Sequence, residues 1–432
     1  MTVQEEKLLQ KEPGNLITIK KEKLLSKLQN LCLFTINHKT APVTIREKFA
    51  IPDYSLNEAI QNLKTYKLLS SFIILSTCNR TEIYFTSKDS QSSLSDIYSF
   101  FSQYLGLEEK IAKEYSTLIK ESGVVNYIFK VASGLDSQVL GESQVLSQVK
   151  HAYSLAQKEN TLDNTLEKLF QFSIKAAKEV HKKTNLSKNS QSISSAAIDL
   201  ANKVCGPLKT KNVMVLGAGT MAKLALEHIL KIGGSKETIV LNRSPHRVIE
   251  FSEKYKISKS VPFENIYETL NEIDILICAA GAPHFIIFAE QFKEIRKDPS
   301  KPLYIFDIAM PRNVDSEFGK LGNVKLFDID GLQENYKLSL SVQDNEIKEA
   351  ENILEENKNK LLLHLAQEKV DSLIKELKEK AENIRKDKLA NLKGTKSTFT
   401  LEELDYITKN IINTLLHEQI QGIKKSGLEK RG

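Results

Sequence analysis

The spacing of apolar residues changes character along the chain, and each change marks a different kind of element. From Leu31 to Ser87 the apolar runs are of strand length, LCLFTINH, SFIILST and EIYFT, with the helix-like SLNEAIQNLKTY before the second. This predicts a small α+β unit. From Gly123 to Thr184 apolar residues recur three and four apart, as in Leu166, Phe170, Ile174, Ala177 and Val180, which predicts packed helices completing a domain over 31–187. After the polar stretch KKTNLSKNSQS, strands and helices alternate: NVMVLGAG, a helix to Lys231, TIVLNR, a helix, DILICAAG, LYIFDIAM and KLFDID. Such alternation predicts a doubly wound parallel sheet over 188–343. Over 344–432 no strand pattern remains. There Ala366, Val370, Leu373, Leu377, Ala381 and Ile384 follow a near-heptad rhythm on a charged helix. An apolar stripe on a polar helix needs a partner, so a helical dimerisation domain is the simplest reading, with a monomeric bundle as the alternative. Residues 1–30, rich in Lys and Glu, read as a charged extension. The fold class is therefore α/β multidomain.

Composition narrows this picture only a little. With 432 residues, 41% hydrophobic and 27% charged, the chain has room for two or three ordinary globular domains. No apolar run approaches the roughly 20 residues that cross a bilayer, and the N-terminus lacks the apolar core of a signal peptide. A cytoplasmic protein with no membrane contact is expected. A net charge of +6 permits a nucleic-acid partner without requiring one. Cys32, Cys78, Cys205 and Cys278 lie far apart with no CxxC spacing, which argues against a metal site and against a disulfide framework.

Two segments carry candidate chemistry. Gly217-Ala218-Gly219-Thr220-Met221-Ala222 follows a strand and opens a helix, the setting of a dinucleotide fingerprint. Its glycines allow a tight turn and close approach to a pyrophosphate held at the helix N-terminus. The second strand ends Leu241-Asn242-Arg243-Ser244, with Arg247 behind, where an NAD site would place an acid. Arginine there suits a 2′-phosphate, so NADP(H) is expected, with Arg243 and Ser244 among its contacts. The second segment is Ser76-Thr77-Cys78-Asn79-Arg80-Thr81-Glu82, where Cys78 stands at the polar end of an apolar strand. A nearby cation and several donors can favour its thiolate. A nucleophilic cysteine beside a nicotinamide suggests acyl chemistry, in which a thioester accepts hydride and leaves as an aldehyde. A packed small residue is the alternative for Cys78.

Together these segments resemble the glutamyl-tRNA reductases, from about Leu33 to the C-terminal helices. The carriers are Asn37 to Val43 (NHKTAPV), Leu75 to Tyr84 (LSTCNRTEIY), Ala132 to Lys150 (ASGLDSQVLGESQVLSQVK), the turn at Gly217, and Asp307 to Asp315 (DIAMPRNVD). The resemblance implies NADPH-dependent reduction of glutamyl-tRNA(Glu) to glutamate-1-semialdehyde, the step that opens tetrapyrrole synthesis from glutamate. It implies that Cys78 is the nucleophile and that Thr77, Asn79 and Arg80 hold the glutamyl group. Ser137, Glu142, Ser143, Gln144 and Gln148 would complete that pocket. Arg80 could fork onto the substrate carboxylate, and Gln144 and Gln148, one helical turn apart, could present their amides on one face. Gly217 to Ala222 and Arg243 would bind NADPH. The resemblance further implies a V-shaped homodimer carrying the tRNA, and contact with the aminomutase that consumes the aldehyde.

The chain departs from the family pattern at two positions. Tyr127 stands where many members have histidine, which puts a general-acid or positioning role there in question, with a hydrogen-bond donor as its replacement. Ser143 stands where proline is usual. A cysteine-dependent semialdehyde dehydrogenase working without tRNA, and a non-catalytic NADP- or RNA-binding regulator, are the competing functions. The missing histidine partner for Cys78 and the long helical C-terminus weigh against the first. Intact Cys78, Arg80 and Gly219 weigh against the second.

Overall fold

A computed structural model describes residues 28–69, 71–137, 140–184, 186, 192–243, 251, 255, 257–332, 344–391 and 400–428. The chain forms two compact units, one spanning Gln29–Lys358 and one containing Asn359–Gly432.

The first unit starts with a four-stranded sheet ordered β2-β3-β1-β4, every neighbour antiparallel: β1 (Leu31–Asn37), β2 (Ser71–Ser76), β3 (Arg80–Thr86) and β4 (Thr117–Lys120). All seven residues of β1 are buried, so its apolar run shows no alternation. Helices cover both faces. On one lie α1 (Val43–Phe49), α2 (Leu56–Leu63), α3 (Ser90–Leu105) and α4 (Glu109–Tyr115), which share a core of Phe34, Phe49, Phe72, Phe85, Phe100 and Phe101. Each of these rings is fully buried, contributing about 2–3 kcal/mol apiece by transfer from water. Behind the other face run α5 (Ser122–Ala132), α6 (Ser143–Lys158) and α7 (Asn164–Lys183), with Tyr84 edge-on to Phe170 at 5.1 Å.

After α8 (Ile193–Cys205) the expected parallel sheet follows: β5 (Asn212–Leu216), β6 (Glu237–Leu241), β7 (Lys259–Val261), β8 (Ile275–Cys278), β9 (Leu303–Asp307) and β10 (Val324–Phe327). Its order is β10-β9-β8-β5-β6-β7, with the chain reversing direction across the sheet at β5. Between these strands lie α9 (Thr220–Lys231), α10 (Ile266–Glu272) and α11 (Ala289–Ile295). Ligands bind at such a reversal, beyond the C-terminal ends of the strands.

Adjacent opposite charges on α1 tie the two sheets together. Arg46 Nη2 reaches Asp330 Oδ1 at 2.9 Å, while Arg312 donates to both Glu47 oxygens at 2.9 and 2.7 Å. Arg46 and Arg312 are 3% and 8% exposed, so water competes weakly with either pair.

Helix α12 (Asp344–Asn391) begins in the first unit, and its residues from Asn359 belong to the second, with α13 (Leu401–Leu428). Within that second unit the buried Arg385 pairs with Glu382 and Asp405. Leu363, Ile384, Tyr406 and Ile411 stand 54%, 60%, 69% and 53% exposed in the single chain. None of the helices among the described residues is long and apolar enough to cross a membrane.

Candidate active site

The β2–β3 hairpin places Cys78. Ser76 pairs with Thr81, and Thr77 N–H donates to Arg80 O at 2.8 Å, leaving Cys78 and Asn79 at the tip. Asn79 N–H donates to Thr77 Oγ1 at 3.2 Å, and His38 N–H to Asn79 O at 3.0 Å, so the tip is fixed from within and from β1.

Below the tip lies a cavity of about 230 Å³ lined by Thr77, Cys78, Asn79, Arg80, Ser137, Glu142, Gln144 and Gln148. Residues from two separate stretches of sequence thus meet in one cavity. Ser143 opens α6, and its side chain lies outside what the structure describes. The loop before α6 is bent by Gly134 and Gly141, at φ +77° and +78°. A Cβ on Gly141 would meet Leu186 O at 2.4 Å, and one on Gly134 would meet Glu142 N at 2.9 Å. Only glycine lets the loop close, which brings Ser137 and Glu142 to Cys78. Asn79 Oδ1, Ser137 Oγ and Gln144 Oε1 are buried with no hydrogen-bond partner among the described residues. Unpaired buried polar atoms are costly in a protein interior unless a ligand or water satisfies them. Here three face one cavity.

Arg80 departs from expectation. It is 2% exposed and already engaged: Nη1 donates to Glu82 Oε1 at 3.0 Å and to Tyr127 Oη at 2.8 Å, and Nη2 to Asp136 O at 2.6 Å and Asp136 Oδ2 at 3.2 Å. A substrate carboxylate must therefore share the guanidinium with Asp136. Tyr127 sits behind Arg80, outside the cavity wall, donating to Glu82 Oε1 at 2.7 Å. Its burial and the Glu82 carboxylate hold the phenol far above its ordinary pKa.

Cys78 also departs from expectation. Burial, with a smaller push from the Glu142 carboxylate, raises its thiol to about 12, and Arg46 and Arg80 oppose this only weakly. The predicted help from Arg80 is outweighed because that cation is already neutralised by Glu82 and Asp136. Glu142, 6% exposed, is itself raised to about 7 by burial. His38, beside the tip, is held neutral by burial and then by Arg80, at about 4. It is absent from the cavity wall. Cys278, fully buried, is pushed well above its ordinary value, and burial raises Cys205 to about 12 and Cys32 by less. With their thiols held protonated, these three fit packed structural residues. Among the described residues no cluster of His, Cys, Asp and Glu could hold a metal.

A second cavity, of about 310 Å³, lies beyond β5 and is lined by Gly217, Ala218, Gly219, Asn242, Arg243, Phe263 and Ala279 to Ala282. A Cβ on Gly217, at φ +117°, would lie 2.6 Å from Ala279 O. Gly219 caps α9 without a side chain, so the first N–H groups of the helix stay open to a pyrophosphate. The Arg243 guanidinium lies 5.0 Å over the Phe263 ring. These features fit a dinucleotide. Ala222 is fully buried against the sheet, Thr220 borders a neighbouring cavity, and Met221 reaches the Cys78 cavity. Ser244 and Arg247 lie outside the described residues. Ala279, Ala280 and Gly281 form part of both cavities, so the two adjoin.

Two features escaped the sequence reading. Asp136 lies inside the quoted run LDSQ, yet nothing local distinguishes it from a surface acid. The DIAMPRNVD run builds the shared wall: Asp307 accepts N–H bonds from Ala309, Asn313 and Val314, and Asn313 Oδ1 accepts from Ala280 N at 3.0 Å. A buried acid six residues before an Asn was the available signal.

Comparison with known proteins bears on the family and the domain architecture. The family model for the glutamyl-tRNAGlu reductase N-terminal domain matches residues 34–184, that for its dimerisation domain residues 349–432, and a shikimate/quinate 5-dehydrogenase model residues 199–335. Glutamyl-tRNA reductase of Carboxydothermus hydrogenoformans is 38% identical over 406 residues, covering 93% of this chain and 90% of that one. The Priestia megaterium protein of the same name is 33% identical over 399 residues, covering 91% and 89%. Among solved structures, glutamyl-tRNA reductase from Methanopyrus kandleri aligns over 94% of this chain and 100% of its own, at 27% identity and a TM-score of 0.51.

Proposed function

The chain belongs to the glutamyl-tRNA reductase family of oxidoreductases, and on that premise we propose that it reduces glutamyl-tRNA(Glu) to glutamate-1-semialdehyde with NADPH, through a thioester on Cys78. The observation that carries this reading is the shared wall Ala279 to Gly281, which sets the cavity at the glycine turn beside one holding a cysteine and three unpartnered polar atoms.

In this mechanism Asn79, Ser137, Gln144 and Gln148 orient the glutamyl group, and Arg80, braced by Glu82 and Tyr127, attracts its carboxylate. Cys78 attacks the ester carbonyl and expels the tRNA. When bound, NADPH supplies the hydride that takes the thioester to the aldehyde level. Arg243 at the end of β6, with no acid beside it on that strand, favours the 2′-phosphate of NADPH over NADH. The Arg46–Asp330 and Glu47–Arg312 pairs hold the nucleotide half against the cavity and keep water from the thioester. We assign 31–187 to catalysis, 188–343 to the cofactor and 344–432 to homodimerisation. The exposed Leu363, Ile384, Tyr406 and Ile411 are surfaces that a second copy would cover.

The test is NADPH oxidation by purified protein given glutamyl-tRNA, with free glutamate as blank and Cys78→Ser alongside. Turnover that needs charged tRNA and vanishes in the variant supports the reading. Turnover with a small acyl substrate and no tRNA would favour a semialdehyde dehydrogenase.

A further inference from the structure

The Cys78 thiol must give up its proton as it attacks, and the leaving ribose oxygen needs a proton in turn. Glu142 is the N-cap residue of α6, yet its side chain makes no capping bond. It is 6% exposed and lines the cavity with Cys78. Among the described residues no hydrogen bond or ion pair engages its carboxylate. Its backbone is fixed by the glycine-bent loop, with Gly134 packed against its N–H.

We propose that Glu142 is a catalytic proton carrier: its carboxylate takes the proton of the Cys78 thiol as Sγ attacks the ester carbonyl, then gives that proton to the departing ribose oxygen. The S–H bond breaks as the S–C bond forms, the C–O bond to the ribose breaks as its O–H bond forms, and Glu142 ends the half-reaction ionised as it began. No external acid is needed until the aldehyde leaves, when the Cys78 thiolate is reprotonated by solvent.

The surrounding charges agree with this assignment. The charged groups that bear on the pair are Arg80 and Arg46, with Asp53 on the cavity wall. Arg80 is committed to Glu82 and Asp136, and Arg46 to Asp330. Asp53, 80% exposed in its side chain, pairs with His151 at 2.8 Å. His38 is neutral and outside the cavity wall. Glu142 is thus the enclosed acid of the cavity, and burial tunes it to about 7, where a carboxyl group can both accept and donate near neutral pH.

The proposal rests on the glutamyl-tRNA reading, and a single-turnover experiment separates the two. Release of tRNA from glutamyl-tRNA is followed without NADPH for wild type, Glu142→Gln and Glu142→Asp, between pH 5.5 and 8.5. Glu142→Gln should slow release ~100-fold or more, keep the half-saturating tRNA concentration within about threefold, and lose the wild-type rise in rate near pH 7. Glu142→Asp should restore part of the rate and the pH limb, and NADPH titration checks that both variants are folded. A Gln variant with wild-type release, or one with only weakened binding and an unchanged pH limb, overturns the proton role. Failure of wild type to release tRNA overturns the substrate reading itself, and this proposal with it.

Discussion

Tyr127→Phe tests the idea that the phenol at this position supports Arg80 structurally. The substitution leaves the ring and removes one oxygen, which donates to Glu82 at 2.7 Å and accepts from Arg80 at 2.8 Å and Asn37 Nδ2 at 3.1 Å. Glu82, fully buried, keeps bonds from Arg80 and from Tyr84 Oη at 2.6 Å, so it is weakened but not orphaned. Leaving buried polar groups short of a partner costs about 1–3 kcal/mol, and we place this variant near 2 because four groups, Glu82, Arg80, Asn37 and Thr35, lose a partner and none loses all. With a urea dependence of roughly 2 kcal/mol per molar, the unfolding midpoint should fall by about 1 M, followed by circular dichroism. Tyr54→Phe, at a residue 68% exposed, serves as the control and should not move it. Turnover should fall less than tenfold, by the order of one lost hydrogen bond, since Arg80 keeps Glu82 and Asp136. A midpoint within error of wild type would refute the supporting role. An abolished turnover with unchanged stability would instead make Tyr127 a proton carrier.

Gly217→Ala should abolish NADPH binding by fluorescence titration while leaving Cys78 alkylation unchanged, because the new Cβ would sit 2.6 Å from Ala279 O at a φ of +117°. Arg312→Met strands Glu47 beside the nucleotide half and should lower stability by roughly 3 kcal/mol, whereas Glu47→Leu/Arg312→Met should recover part of the loss in a double-mutant cycle. Additive losses would show that the pair is not coupled. For Glu142 the folded-state pKa of about 7 lies above the ordinary 4.5, so the wild type has its full stability below about pH 4.5 and loses some as pH rises through 7. Glu142→Gln should therefore match wild type near pH 4.5 and exceed it by up to about 3 kcal/mol at pH 8.5 in urea titrations. A constant difference across that range would contradict the perturbed carboxyl.

The sequence by itself determined the succession of an α+β unit, packed helices and a parallel sheet with its glycine turn, and its motifs named Thr77 to Arg80, Ser137, Glu142, Gln144 and Gln148 in the cavity wall. Such features follow from local rules. Alternation and three-to-four spacing report strands and helices, and a glycine fingerprint reports a backbone turn that other residues cannot make. It did not reveal β4, a four-residue edge strand with two half-buried and two exposed side chains, because so short a segment carries no readable period. It named Cys78, Arg80 and Glu142 as neighbours and expected Arg80 to favour the thiolate, an effect that burial outweighs. Only the tertiary structure decided that Arg80 is committed to Glu82 and Asp136, that the Cys78 thiol is held protonated, and that Tyr127 braces the site from behind. It alone joined Arg46 and Glu47 to Asp330 and Arg312, across more than 260 residues of chain. The physical reason is that a side chain's identity is local, whereas its pKa and its partners depend on the solvent removed and the charges brought near by residues distant in sequence.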